Sequence, residues 1–291
     1  MELLRTLLFV PGNRPRMIEK AKGLTNLDAI ILDLEDAVPP AEKPVARPMV
    51  RQAIDSGDFA RFKIFVRTNS VGTGMLPDDL DAVVSANLFG IVLPKVEGPE
   101  DIDEADRLLT EREELNHLPV GKTMILPIIE TVRGVLGLPR IAVHHPRLAG
   151  ISYGAEDFAT DLGVERSKEG IEGHYPRVQV ALYSHLIGVT PVDSVYSDVN
   201  DAEGLEKDNL LAKQLGFRGK FLIHPNQIEG TSRIFTPSEK EIEYARQVVA
   251  AYEEAEARGE ASVALNGKMI DIPIVERARV LLAAAETIAN S

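Results

Sequence analysis

The chain has 291 residues, 44% of them apolar, enough for a large core but near the size at which a single core stops growing, so one large domain with an appendage is expected. A net charge of −13, from 45 acids against 32 bases, argues against a general nucleic-acid or membrane-surface binder, because phosphate would be repelled. The absence of cysteine excludes disulfides and thiolate metal sites.

The opening MELLRTLLFVPG has too short an apolar run for a signal peptide, and no later run approaches about 18 apolar residues, which points to a cytoplasmic protein. Thr6 to Val10 reads as the first strand, closed by the turn signal Pro11-Gly12. Asn13 can cap a helix from Arg14 to Lys22 that carries Arg14, Arg16, Lys20 and Lys22. Two readings fit this basic cluster: a solvated helix face, or a phosphate-binding corner built on a helix N-terminus.

Asp28 to Leu34, DAIILDL, is apolar almost throughout, as a parallel strand buried on both faces must be. Asp33, Glu35 and Asp36 crowd its C-terminal end, where like charges raise one another's pKa unless a cation is near. After a helix over Pro44 to Asp55, the strand Phe62 to Val66 ends in Arg67. That arginine is either an ion-pair partner for the acids or a binder of a developing oxyanion. Pro77 to Asn87 reads as a helix and Gly90 to Leu93 as the fourth strand, followed by Lys95 and Glu97, which suggest an ion pair. Pro99 to Asn116 is a charged, solvent-facing helix.

Met124 to Ile129 and Leu148 to Ile151 are strand-length apolar runs, each delivering a carboxylate, Glu130 and Asp157. Residues at the C-terminal ends of parallel barrel strands converge on one mouth, so these two acids can share a pocket and hold a hard divalent cation. Helix Gly170 to Gly188, strand Val192 to Tyr196, helix Ala202 to Leu215 and strand Lys220 to Ile223 follow. Eight strand-like runs alternating with helical patterns favour a closed (β/α)8 TIM barrel over residues 1–236. Residues 237–291 form an extension, with a helix over Ser238 to Gly259, a hairpin over Ser262 to Ile272 turning at Asn-Gly, and a final helix from Ile274 to Asn290. This extension is a candidate for packing on a neighbouring subunit.

No glycine-rich phosphate loop follows the first strand, which disfavours nicotinamide cofactors. The histidines 117, 144, 145, 174, 185 and 224 contain no i,i+4 pair and read as structural or surface residues. A carboxylate-only site with room for water suits Mg²⁺.

The strings LLFVPGNRPRM, DAIILDLEDAV, FVRTN, VLPKVEG, ILPIIET, GAEDFATDLG, FLIHPNQI and LNGKMIDIP, in this order along nearly the whole chain, resemble the citrate lyase beta subunit-like family. That family includes malyl-CoA and citramalyl-CoA lyases and is related to the metal-dependent 2-oxo acid aldolases. The resemblance implies a (β/α)8 barrel, Mg²⁺, a homo-oligomer (trimer or hexamer), and carbon–carbon cleavage or condensation beside a thioester carbonyl, with acyl-CoA and a 2-oxo acid as partners. It implies Glu130 and Asp157 as metal ligands, Arg67 as the substrate arginine, and Glu35 and Asp36 as acids positioning metal-bound water. Arg14, Lys20 and Lys22 lie where the family contacts CoA or carrier phosphates. Asp271 matches a tail acid that reaches a neighbouring subunit's site for proton transfer. A citrate lyase beta subunit, a malyl-CoA thioesterase and a non-catalytic CoA- or metabolite-binding barrel are the rival readings.

Overall fold

A computed structural model describes residues 1–143 and 145–289. His144, and Asn290 at the expected end of the last helix, lie outside the described residues. The chain divides into two compact units, Met1–Ser232 and Arg233–Ser291.

The first unit is a closed barrel of eight parallel strands in sequential order: β1 (Thr6–Pro11), β2 (Ala29–Asp33), β3 (Lys63–Arg67), β4 (Gly90–Leu93), β5 (Met124–Ile129), β6 (Gly150–Tyr153), β7 (Thr190–Asp193) and β8 (Gly219–Leu222). Between them run helices α1 (Pro15–Ala21), α2 (Lys43–Asp55), α3 (Leu76–Val83), α4 (Pro99–Leu115), α5 (Val132–Ile141), α6 (Ala155–Leu162), α7 (His174–Ile187) and α8 (Ala202–Leu215). Strand side chains alternate between faces. Leu7, Ala29, Ile31, Phe65, Val92, Leu126, Ile128, Val192 and Phe221 therefore fill the barrel interior as one apolar cluster.

Burying this much strand surface also fixes the register. Pro11 pairs with Asp33, Asp33 with Arg67, and Arg67 with Val92, so the polar ends of β1 to β3 come level at one mouth. On the outer side of the barrel, Arg147 is clamped by Glu113 and Asp106. A second buried cluster joins Arg177 of α7, Asp193 of β7, Asp208 of α8 and Lys220 of β8. Both clusters bring opposite charges together out of water, where each needs its partner.

The structure shifts several expected boundaries. β6 and β7 each begin two residues away from the expected start, and α3 stops at Val83 rather than Asn87. A helix not expected from the sequence, α9 (Ile228–Phe235), follows β8. Asn13 does not cap α1: Arg14 holds the N-cap position without a side-chain hydrogen bond, and Asn13 Nδ2 donates to Glu42 at 2.5 Å.

In the second unit, α10 (Glu239–Ala257) begins with a capping box in which Ser238 and Glu241 satisfy each other's amides. The hairpin β9 (Val263–Leu265) and β10 (Lys268–Ile270) turns at Asn266 and Gly267, both with positive φ as a type I′ turn requires. The last helix is α11 (Ile272–Ala289), and Val275 and Ala278 pack with Ala245, Val248, Tyr252 and Ile270 into a small core. Among the described residues no helix is long and apolar enough to cross a membrane.

Candidate active site

The mouth is organised by a cross-strand pair. Asp33 ends β2, Arg67 ends β3, and the guanidinium donates to both carboxylate oxygens, Nε to Oδ1 at 2.8 Å and Nη2 to Oδ2 at 2.6 Å. This bidentate fork leaves Nη1 turned toward Glu35, at 3.0 Å from Oε2, and Asp36, at 3.5 Å. The guanidinium also stacks over the Phe9 ring, 4.8 Å from its centroid. Burial disfavours the charge on Arg67, but Asp33, then Glu35 and Asp36, hold its pKa above the ordinary arginine value.

The turn carrying Glu35 and Asp36 is pinned from beneath by buried Lys43. Its ammonium donates to the carbonyls of Leu34 and Glu35 and to Asn69 Oδ1, at 2.7, 2.9 and 2.7 Å. Asn69 is itself held by buried Asp79. Glu35 Oε2 is buried and accepts no hydrogen bond among the described residues, despite its closeness to Arg67.

Glu130 follows β5 directly and is buried. One of its oxygens accepts from the Lys95 amide at 2.8 Å. Its side chain lies so close to Gly154 that a Cβ there would meet Oε2 at 2.4 Å, so only glycine leaves room for the carboxylate. Gly154 caps α6, whose first turn carries Glu156 and Asp157, and the α6 start is anchored where the Ala155 amide donates to Ser194 Oγ at 2.9 Å. Burial, reinforced by Asp157 and Glu35, pushes the Glu130 carboxyl up to about 8. Burial likewise raises Glu35, opposed by Arg67 and Lys95.

Lys95 sits among these acids rather than against Glu97. Its Nζ lies 2.6 Å from Glu35 Oε1 and 3.8 Å from Asp157 Oδ1, while Glu97 faces Arg133 at 3.6 Å. The expected Lys95–Glu97 pair is therefore replaced by a pairing across strands. Lys95 adopts a left-handed conformation, φ 54°, so its amide and its side chain reach different carboxylates, a geometry that sequence spacing does not reveal.

Around these groups opens a cleft of about 370 Å³, lined by Phe9, Asp33, Arg67, Glu130, Tyr153 and Asp157 among others. A second cavity of about 590 Å³ adjoins it, sharing Tyr153, Ala155, Glu156 and Ser194. The Tyr153 hydroxyl is buried, unpartnered among the described residues, and close against Gly173 on the side of the second cavity.

The structure thus brings together Glu35, Asp36, Arg67, Glu130 and Asp157. It does not gather the basic cluster. Arg14 stands at the N-terminus of α1, on the mouth side, whereas Lys22 closes the other end of the helix, about 12 Å along it at 1.5 Å per residue. There Lys22 is engaged by Glu19 at 2.6 Å and Asp58 at 2.7 Å, and Lys20 lies in the last turn. A helix that returns along the barrel wall points its two ends to opposite faces, so these residues do not form one corner. Asp271 lies in the second unit between β10 and α11, where its Oδ1 is buried without a hydrogen-bond partner among the described residues.

The donor set fits a hard divalent cation. Two carboxylates, Glu130 and Asp157, with Glu35 beside them, are forced together in a half-sheltered mouth, and their mutual repulsion is what a cation would relieve. Oxygen ligands supplied by only two side chains suit Mg²⁺, which keeps several waters.

Residues 5–225 match the HpcH/HpaI aldolase/citrate lyase family. A citrate lyase subunit beta from Leuconostoc mesenteroides subsp. cremoris is 40% identical over 277 residues, covering 95% of this chain and 91% of the relative. A (3S)-malyl-CoA thioesterase from Cereibacter sphaeroides is 37% identical over 286 residues, covering 98% and 95%. Among solved structures, the protein CitE from Mycobacterium tuberculosis in complex with magnesium, acetoacetate and coenzyme A aligns with a TM-score of 0.78 at 29% identity, covering 98% of both chains. The chain belongs to the HpcH/HpaI aldolase/citrate lyase family and, as such, is a carbon–carbon lyase on a closed (β/α)8 barrel.

Proposed function

We propose that the chain is a Mg²⁺-dependent lyase that cleaves a β-hydroxyacyl-CoA of the malyl-CoA or citramalyl-CoA type to an acyl-CoA and a 2-oxo acid, or joins the two by condensation. The observation that carries this reading is the convergence of Glu130 and Asp157 with an Arg67 whose orientation is locked by Asp33. Bound Mg²⁺ would be held by Glu130 and Asp157 and would supply Lewis-acid polarisation of the 2-oxo acid oxygens.

The remaining chemistry falls to side chains. Cleavage breaks the bond between the α- and β-carbons, the β-hydroxyl gives its proton to water at the mouth, and the electron pair of the broken bond passes into the thioester as an enolate. Arg67 lines the cleft, its fork is held by Asp33, and its Nη1, beside Glu35 and Asp36, would be the donor for the substrate oxygen on which charge changes. Glu35 and Asp36 would orient water at the mouth. Asp271, from a neighbouring subunit, would return a proton to the enolate carbon, and in condensation would remove it. Exposed Met269 and Ile272, on either side of that acid in the chain, give the second unit apolar surface for such an oligomeric contact. Arg14 is the basic residue kept as a CoA-phosphate contact; Lys22, already paired at the far end of α1, is not.

Two further readings rest on the same mouth. The 40%-identical relative favours a citrate lyase beta subunit acting on a citryl thioester of a carrier protein, with oxaloacetate as the 2-oxo acid. The 37%-identical relative favours hydrolysis of malyl-CoA. A panel of acetyl-CoA or propionyl-CoA with glyoxylate, pyruvate or oxaloacetate, each with Mg²⁺ and with EDTA, tests the proposal. Mg²⁺-dependent condensation of one pair is expected, and no condensation with any pair would contradict it.

A further inference from the structure

We infer that Lys95 is the internal counter-ion of the mouth, a positioning residue that ties the carboxylates together and whose charge moderates how tightly they hold a divalent cation while favouring an anionic substrate. The inference rests on the reading of Glu130 and Asp157 as the metal-holding pair.

One residue after β4 reaches three acids on three other elements of the mouth. The Lys95 amide, just after β4, donates to Glu130 after β5; its ammonium lies 2.6 Å from Glu35 after β2 and 3.8 Å from Asp157 on α6. Lys95 makes these contacts from a left-handed backbone conformation, φ 54°. A non-glycine residue in that region is uncommon, and such residues concentrate at functional sites. The turn is not a loop end free to relax: Val96 N bonds to the Ile128 carbonyl directly after it.

The charge arrangement gives the lysine its consequence. Asp33, Glu35, Asp36, Glu130 and Asp157 surround Arg67 and Lys95. Arg67 commits two of its three guanidinium nitrogens to Asp33, so the ammonium of Lys95 is the cation nearest Glu35 Oε1 and Asp157. A positive charge so placed opposes an incoming divalent cation and attracts an incoming carboxylate.

The two effects carry opposite signs, and that separates the inference from simple structural support. Mg²⁺ is titrated calorimetrically into the wild-type protein, Lys95→Met and Lys95→Arg, and pyruvate is then titrated into each Mg²⁺-loaded form. Removing the charge in Lys95→Met should tighten Mg²⁺ binding by several-fold to about tenfold and weaken pyruvate binding by a similar factor. Lys95→Arg, which keeps the charge, should leave both within about twofold. Lys95→Gln, which retains a donor for Glu35, should show the same opposite pair and serves if the methionine variant does not fold. Mg²⁺ affinity that is unchanged or weaker in a folded, uncharged variant would overturn the role of Lys95 alone. If the wild-type protein binds no Mg²⁺, the metal reading itself fails and this inference falls with it.

Discussion

Asp33 and Arg67 stand opposite each other in register at the ends of β2 and β3, and the carboxylate takes two of the three guanidinium nitrogens at 2.8 and 2.6 Å. The pair with Asp33 fixes the plane of the fork, and the remaining nitrogen lies beside Glu35 and Asp36, so ion pairing with Asp33 does not by itself exclude the proposed oxyanion role.

This relationship makes Arg67→Lys a sharp test. A lysine can keep one contact with Asp33 but cannot supply a second, fixed donor. The variant should melt close to the wild type and lose about 10²-fold in kcat/KM, the scale of one lost oxyanion donor. Thermal melts and steady-state kinetics on the same preparations check this. Lost stability with full catalysis would leave Arg67 as an ion-pair partner only.

For the metal pair, Glu130→Gln and Asp157→Asn should each abolish calorimetric Mg²⁺ binding and Mg²⁺-dependent turnover while the far-UV spectrum stays native. Each change removes a charge from an already strained acid cluster, so neither should weaken the fold. Undiminished turnover in either variant would remove that residue from the metal site.

The raised Glu130 carboxyl gives a pH dependence of definite sign. Its pKa climbs from 4.5 to about 8 on folding, so the folded protein binds the extra proton between those values. In EDTA this group contributes stability that is fully present below about pH 4.5 and is lost as pH rises through about 8, about 5 kcal/mol at most. Urea melts of the wild type and Glu130→Gln between pH 5 and 8 isolate the effect, since glutamine mimics the protonated form. The variant should gain on the wild type as pH rises, and parallel curves would contradict the assignment.

The barrel was readable because each buried strand is a short apolar run bounded by turn residues; Gly90–Leu93 and Met124–Ile129 match the expected bounds. β7 was harder: Thr190-Pro191 open it, and a proline is a poor strand signal although the barrel tolerates it there. β6 starts late because Leu148 makes only an isolated bridge to Ile125. Glu130 and Asp157 could be proposed from the sequence because each follows an apolar run. The side-chain partners of Lys95 and Lys43 could not, since Glu35 and Asn69 lie 60 and 26 residues away from them in sequence, on other strands or loops. The placement of the basic residues after β1 was not legible for a related reason: spacing along one helix does not tell which end faces the mouth.

Asp271 offers a test of assembly. If it acts across a subunit interface, Asp271→Asn should keep Mg²⁺ and pyruvate binding and lose about 10²–10⁴-fold in condensation, the range for a general acid–base group. Mixed oligomers of Asp271→Asn and Glu130→Gln protomers should regain part of the activity, because some of their sites combine two intact halves. No recovery after demonstrated subunit exchange would place Asp271 outside the reaction.

A lyase breaks the carbon–carbon bond and leaves the thioester intact, so the fate of the sulfur separates it from a thioesterase. Malyl-CoA and citramalyl-CoA are incubated with the enzyme and Mg²⁺, and the products are separated while free thiol is measured in parallel. Acyl-CoA and a 2-oxo acid are expected in equal amounts, with no free CoA thiol and no reaction in EDTA or with Glu130→Gln. Free CoA with intact malate or citramalate, and no 2-oxo acid, would contradict the proposed lyase reaction and make the enzyme a thioesterase.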